Sequence, residues 1–383
     1  MNENLESEAA PIATWLGERL PEPVSRAIGR LASCPDVVKV AVMPDVHLGT
    51  DVCNGVVVAT RDLIYPQAVG GDIGCGMTAL GLGGSARQLR SRHQAQRILR
   101  GLETAVPIER HARTTVAAEL PEDLRGQALS EPALAHQAAR GGLFQLGTLG
   151  RGNHFLEVQA DDQDQLWLMV HSGSRGLGQA IATFHLARAE DAGRGLRALP
   201  AASACGQAYL ADLDWAVRYA SHSRLAMARA AAAVLADVLG VEPDEDTWID
   251  APHNLVRSEE VAGHRLWIHR KGAMAAAAGQ PGVIPGAMGA ISYHVTGRGS
   301  DDALNSCSHG AGRVMSRSEA RRRISRRDFE RQVGNLWFDE RRANDLREEA
   351  PGAYKDLRVV MKAQADLVRI DRRLRGLLTY KGV

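Results

Sequence analysis

Four stretches of this chain repeat one arrangement: an apolar, strand-like run meets a glycine-containing turn that carries a metal-capable side chain. They are PDVHLG (44–49), GGDIGCGM (70–77), GRGNHFLEV (150–158) and VHSGSRGLG (170–178). A fifth, APHNLV (251–256), presents His253 beside Pro252 without a glycine. Glycine lets a backbone turn sharply and come close to a ligand, and strand ends are rigid places from which to aim a side chain. Asp72, Cys75, His154, His171 and His253 together offer oxygen, sulfur and nitrogen donors. That set suits a borderline divalent ion such as Mn²⁺, Zn²⁺ or Fe²⁺. A thiolate can also bridge two ions, which a neutral imidazole cannot. Any one of these histidines alone reads more readily as structural; five such residues in matching settings favour a metal centre. His93, His111, His136, His185, His222, His264, His269 and His294 lack the setting and are assigned structural roles.

Around these turns the pattern is mixed. VVKVAVM (37–43) and GVVVAT (55–60) read as buried strands, and LWLMV (166–170) and RLWIHRKGA (265–273) as further strands. Residues 86–103 read as a helix, and 107–140 as surface helices and loops. The alanine-rich, proline-free stretch 206–239 reads as the longest helix. Ser316 and Glu319 have the spacing of a capping box at the start of a basic helix. Its arginines cannot all share one face, so a solvated surface and a nucleic-acid contact read equally well. A final helix is expected over about 353–375. With strands and helices interspersed and no break in composition, the chain reads as one mixed α/β domain over 1–383.

Composition narrows the setting. Acids and bases nearly cancel, 45 against 46, so net charge names no partner. Arginine greatly outnumbers lysine; its planar fork suits phosphate, although GC-rich coding gives the same bias. The five cysteines, Cys34, Cys53, Cys75, Cys205 and Cys307, are odd in number and form no CxxC pair. They argue against a disulfide framework and a zinc knuckle. The first twenty residues lack the basic start and apolar run of a signal peptide, and no stretch approaches a membrane span. A cytoplasmic protein without a membrane is the expectation.

One further segment, SCSHGAGRVMSR (306–317), places His309 before Gly310-Ala311-Gly312 and Arg313. Small residues expose backbone N–H groups that can cradle a phosphate, arginine adds a bidentate clamp, and a neutral histidine there is placed to attack phosphorus. A tight turn before a helix explains the segment equally well.

Taken in order, MPDVHLG, GDIGCGM, GNHFLEV, VHSGSRGLG, PHNLV, HRKGA, PGAMGAISY, SHGAGRVMSR and a final YKG resemble the RtcB family of RNA ligases, from about residue 43 onward. The resemblance implies a single large RtcB-like domain with mixed sheets, flanking helices and a dinuclear metal cleft. It implies that Asp72 and Cys75 bind two Mn²⁺ ions, with Cys75 as the bridge, His154 on one ion, and His171 and His253 on the other. His309 would attack the α-phosphate of GTP, release pyrophosphate and carry GMP. GMP would then pass to an RNA 3′-phosphate, itself often opened from a 2′,3′-cyclic phosphate, and a 5′-hydroxyl would expel it and seal the strand. Matching nucleotide contacts are Asn153, Glu157, Gly310, Ala311, Gly312 and Lys381. Asp45 matches an acid near the metals, and Arg175 and Arg313 are matched to phosphate clamping. RNA repair or tRNA splicing is the implied setting, and some members need an activating protein.

The chain departs from the family at four places. Ala287 stands where PGSMG has serine, Thr50 where a lysine is usual, Arg151 in GRGNH for GGGNH, and Gly71 in GGDIGCG for GVDIGCG. None removes a metal donor or His309. They leave open a branch that only caps 3′-phosphate ends of RNA or DNA with GMP, and a non-catalytic binder of broken RNA.

Overall fold

The computed structural model describes residues 9–116 and 119–382; the first eight residues of the N-terminal stretch lie outside it. Two sheets carry the architecture, as a mixed α/β fold requires. One has five strands in the order Ile12–Thr14, Val37–His47, Asn54–Thr60, His264–Lys271, Asn254–Val261. The other has seven, in the order Glu242–Pro252, Gly76–Ser85, Gln165–Ser172, Phe155–Asp161, Val368–Lys381, Ile291–Gly297, Pro281–Ile284. Every neighbouring pair of the second sheet is antiparallel. Chain starts and chain ends therefore alternate along each edge of that sheet.

The register puts the motifs on one edge. Gly76 pairs with Pro252 on one side and Ser172 on the other, His171 pairs with Met77 and Phe155, and Phe155 pairs with Lys381. Cys75, His154, His171, His253 and Lys381 thus come from five neighbouring strand ends. The segment that ends at Pro252 in the seven-stranded sheet continues through His253 into the five-stranded one.

The alanine-rich stretch is a 36-residue helix, Ala204–Leu239, capped by Ser203, whose side chain accepts from Gly206 N, and ended by Gly240 at φ +68°. Its Met227, Ala228, Ala231, Ala232 and Leu235 pack on Leu80, Leu156, Val158, Leu168 and Val170 of the seven-stranded sheet. Small side chains let the helix lie close to the strands. None of the described helices is long and apolar enough to cross a membrane.

Three sequence expectations change. The helix expected over 86–103 runs over Arg92–Ala105, because a full capping box of Ser91 with Gln94 fixes its start after a short 3₁₀ turn, Ala86–Gln88. At 316 only half the box forms: Ser316 Oγ accepts from Glu319 N, while the Glu319 carboxylate pairs with Arg323. The final helix is confined to Leu357–Ala363, and Val368–Lys381 is a 14-residue strand. Its run of arginines has good helix propensity, but pairing on both sides, with Phe155–Asp161 and Ile291–Gly297, overrides it. Arg372 lies over the Trp167 ring, 4.8 Å from its centroid.

One buried charge ties helix to sheet. Arg224, with a side chain 0% exposed, makes a bidentate pair with Asp250 (2.6 and 2.9 Å) and donates to the carbonyls of Gly74 (2.7 Å) and Ser172 (3.0 Å). Burial pushes the Asp250 carboxyl up, but Arg224, with Thr78 and Ser221, brings it below its ordinary value. Its share of stability is therefore present above the unfolded carboxyl value, about 3.9, and lost as pH falls through the lower folded value. Removing one partner strands the other charge. Asp250→Asn is expected to cost about 3–5 kcal/mol in urea unfolding at neutral pH, and the variant loses the acid-dependent component that the wild type shows; equal stability of the two would refute this role.

Candidate metal and nucleotide site

The GGDIGCGM loop reaches its position by lying on the long helix. Gly74 has φ +74°, and a Cβ there would stand 2.9 Å from Val217 Cα. At Gly71 a Cβ would meet only the tip of the exposed Gln179 side chain, which can move aside, so nothing in the structure explains this departure. The loop then turns into its strand with Cys75 fully buried and Asp72 half-buried.

All five donors come together. Cys75 Sγ lies 3.2 Å from His171 Nε2 and 3.6 Å from His154 Nε2. His154 Nε2 is 3.2 Å from Asp72 Oδ2, and the Nε2 atoms of His171 and His253 are 3.1 Å apart. They form two three-donor groups, Cys75–His171–His253 and Asp72–Cys75–His154, that share the cysteine sulfur.

Neighbouring groups assign the ring protons of two histidines. His171 Nδ1–H donates to the Asn153 carbonyl, 3.1 Å. His253 Nδ1 faces Asn254 Oδ1 at 3.3 Å, and that oxygen is identified because it accepts from Gly272 N while Asn254 Nδ2 donates to the Asp72 carbonyl. Both Nδ1 atoms carry the proton, so two Nε2 lone pairs point at each other across 3.1 Å. Such an arrangement fits a cation between the donors, with the carbonyl and amide as the outer contacts that orient ligating imidazoles.

Electrostatics agree. Burial, with the neighbouring histidines, holds His171 and His253 well below the ordinary imidazole value, hence neutral and able to ligate. Burial raises the Asp72 carboxyl, but the hydrogen bond and charge of His154 outweigh it and bring it to about 2. Burial and the Asp72 charge push the Cys75 thiol well above its usual range. A bound metal ion would supply the charge that makes it a thiolate.

His309 stands beside this set, its ring centroid 4.7 Å from that of His253. Asp45, fully buried, holds it: Oδ2 accepts from His309 Nδ1 (2.7 Å), His309 N (3.2 Å) and Gly310 N (3.3 Å). The Nδ1 proton is thereby fixed and the Nε2 lone pair left free. Gly312, at φ +74°, lets the loop press on the same acid, since a Cβ there would sit 2.1 Å from the Asp45 carbonyl. His47, the histidine of the first repeated turn, is not a member of the metal set. Its Nδ1 donates to the Asp45 carbonyl and its Nε2 accepts from Asn54.

A cavity of about 380 Å³ opens on His309, within the range of small-molecule sites. Asn153, Glu157, Gly310, Ala311, Gly312, Arg313 and Lys381, the seven nucleotide residues expected from sequence, all line it, as does Ala287. Arg313 is already engaged, donating to Tyr354 Oη (2.7 Å), the Glu348 carbonyl (2.8 Å) and the Met315 carbonyl (3.1 Å). Arg175 lies behind His154, 3.4 Å from its Nδ1, at φ +60° and away from this cavity. Thr50 lies on a neighbouring cavity with Lys271 and Asp72.

Sequence reasoning missed Phe155, Glu349 and Tyr354 on the cavity wall, and Arg224 beneath the metal loop. Glu349 ends one 3₁₀ turn, Arg347–Glu349, and Tyr354 follows another, Pro351–Ala353, in a stretch that carries no motif. Arg224 had a signal: a charge on the apolar stripe of Ala220, Met227, Ala228 and Ala231.

Because both donor groups share one sulfur, Cys75→Ala is expected to lose both divalent ions together when metal content is measured on protein loaded with Mn²⁺. Retention of one tightly held ion would contradict a shared thiolate.

The family model described as "tRNA-splicing ligase RtcB" matches residues 27–382. The chain is 36% identical to RNA-splicing ligase RtcB of Escherichia coli, over 99% of each chain. It is 33% identical to RNA-splicing ligase RtcB of Mycobacterium tuberculosis, over 92% of this chain and 99% of the relative. A further relative, RNA-splicing ligase RtcB2 of Escherichia coli, is 30% identical over 91% and 89%. With the match running almost end to end and the donor set assembled, the chain belongs to the RtcB family of ligases.

Proposed function

We propose that the protein is a Mn²⁺- and GTP-dependent RNA ligase that joins a 3′-phosphate or 2′,3′-cyclic phosphate end to a 5′-hydroxyl end through GMP carried on His309. The contact of Asp45 with His309 Nδ1 carries this reading. It leaves Nε2 as the free nucleophilic atom, at the wall of a cavity and next to the metal donors.

Attack by Nε2 on the α-phosphorus forms a P–N bond as the bond to pyrophosphate breaks. The imidazole gains positive charge as it does so, and the Asp45 carboxylate at 2.7 Å stabilises it, as the acid does in an Asp–His pair. Bound divalent ions, held by Asp72, Cys75, His154, His171 and His253, would neutralise phosphate charge and polarise phosphorus. Protonated imidazole is a good leaving group, so the GMP can pass to an RNA 3′-phosphate oxygen. A 5′-hydroxyl then attacks the activated end and expels GMP.

Two acids on the cavity wall offer a match for guanine. Glu157 and Glu349, both buried, line the cavity: the Glu157 oxygens accept from Gln159 Nε2 (2.8 Å) and Thr379 Oγ1 (2.5 Å), and Glu349 Oε1 lies 3.5 Å from Lys381 Nζ. Guanine offers N–H donors at N1 and N2 where adenine has an acceptor and a C–H. Lys381 Nζ also stands over the Phe155 ring, 5.8 Å from its centroid. Ala287 lines the same cavity and contributes only a methyl group.

The test is incubation with Mn²⁺ and GTP labelled at the α-phosphate, read on a denaturing gel. The wild type should carry label from GTP and not from ATP. His309→Ala should carry none while keeping its metal content, and normal labelling in that variant would refute the assignment. Asp45→Asn, which removes the charge and leaves the contact, should slow labelling by about 10²–10⁴-fold. Supplying RNA with a 3′-phosphate and a 5′-hydroxyl then separates a ligase, which gives sealed product, from an enzyme that stops at the GMP cap.

A further inference from the structure

Two cavities outside the nucleotide site are walled by arginine. The larger, about 870 Å³, is lined by Arg110, Arg113, Arg140, Arg151 and Arg175 against one acid, Glu109, and also carries Phe144. The smaller, about 520 Å³, is lined by Arg151, Arg317, Arg321 and Arg342, with Asp345 and Glu348. Two residues join them to the chemistry: Arg151 belongs to both cavities, and Arg317 belongs to the smaller one and to the nucleotide cavity.

We infer that these linked cavities form a track for the single-stranded RNA tail behind the 3′-phosphate end, running from the nucleotide cavity past Arg317 and Arg151 to Arg110, Arg113 and Arg140. This inference rests on the ligase reading and adds to it where the strand lies. The physical case has three parts. The first is charge: five arginines against one glutamate make a surface complementary to phosphodiesters, and the planar guanidinium suits phosphate. The second is flexibility. A path through successive cavities requires a chain that bends over a few nucleotides, which a single strand does and a duplex, stiff over about 150 base pairs, does not. The third is the presence of an aromatic face, Phe144, on which a base can stack.

Arg151 is the joint of the track, and it is one of this chain's departures from the family pattern. Its ion pair with Glu109 (2.7 Å) is exposed on both sides, 67% and 65%. Such pairs contribute about 0–1 kcal/mol, so exchanging the carboxylate for a phosphate costs little. Phosphate contacts of this kind hold a strand without reading its sequence.

The experiment uses the full chain without GTP, a short labelled single-stranded RNA bearing a 3′-phosphate, and binding by fluorescence anisotropy from about 50 to 200 mM salt. For single strands each neutralised phosphate contributes about 0.7 to the slope of log affinity against log salt. Arg110→Ala/Arg113→Ala/Arg140→Ala should lower that slope by about 2 and raise the KM for RNA with little change in kcat. Labelling of His309 by GTP, which needs no RNA, should be unchanged. Arg110→Lys/Arg113→Lys/Arg140→Lys should keep most of the slope, which a purely structural role would not predict. An unchanged slope in the alanine variant, with wild-type protein that labels and binds RNA, overturns the track alone. Wild-type protein that neither labels nor binds RNA overturns the ligase reading and the track with it.

Discussion

The antiparallel register of the seven-stranded sheet is the constraint on which the site depends. Because neighbouring strands run in opposite directions, one edge collects the start of Gly76–Ser85, the end of Gln165–Ser172, the start of Phe155–Asp161 and the end of Val368–Lys381. Phe155 and Lys381, 226 positions apart in sequence, become neighbours through backbone pairing. A slip of one residue would turn His171 to the opposite face and separate it from Cys75, so the pairing that builds the sheet also builds the donor set.

Burial and charge then divide the work. His171 and His253 are neutral because they are buried, and the thiol of Cys75 resists ionising for the same reason. Arg224 offers a fixed positive charge beneath the loop, but it spends its donors on Asp250 and two carbonyls and so acts as a fastener. At His309 the logic is reversed: a buried carboxylate sits on the ring, orients it and leaves the outward nitrogen unencumbered. One site thus holds two buried histidines whose Nε2 atoms face the donor set and a third whose Nε2 is left free, distinguished by whether a carbonyl, an amide or a carboxylate meets Nδ1.

Much of the site was legible because each motif is contiguous. A glycine turn with a donor beside a β-branched run encodes its own local geometry, and the long helix announced itself by alanine and the absence of proline. What could not be read was set by partners distant in sequence. Val368–Lys381 has the residue types of a helix and is a strand because two other strands hold it. Arg313 follows His309 in a motif that suggests a free clamp, yet Tyr354 and two carbonyls engage it. Glu349 faces the cavity from a stretch with no pattern, and Arg151 gains its significance from the arginines of distant segments around it.

The passage of one extended segment from the seven-stranded sheet into the five-stranded one has a further consequence. His253 sits at that crossing, with its N–H on the Cys75 carbonyl and its own carbonyl accepting from Ala273 N. The seam between the sheets is therefore the same place as the metal donors. Cohesion between the two halves of the fold and retention of the ion become a single property: whatever loosens the seam opens the coordination set, and a filled set acts as a rivet through both sheets.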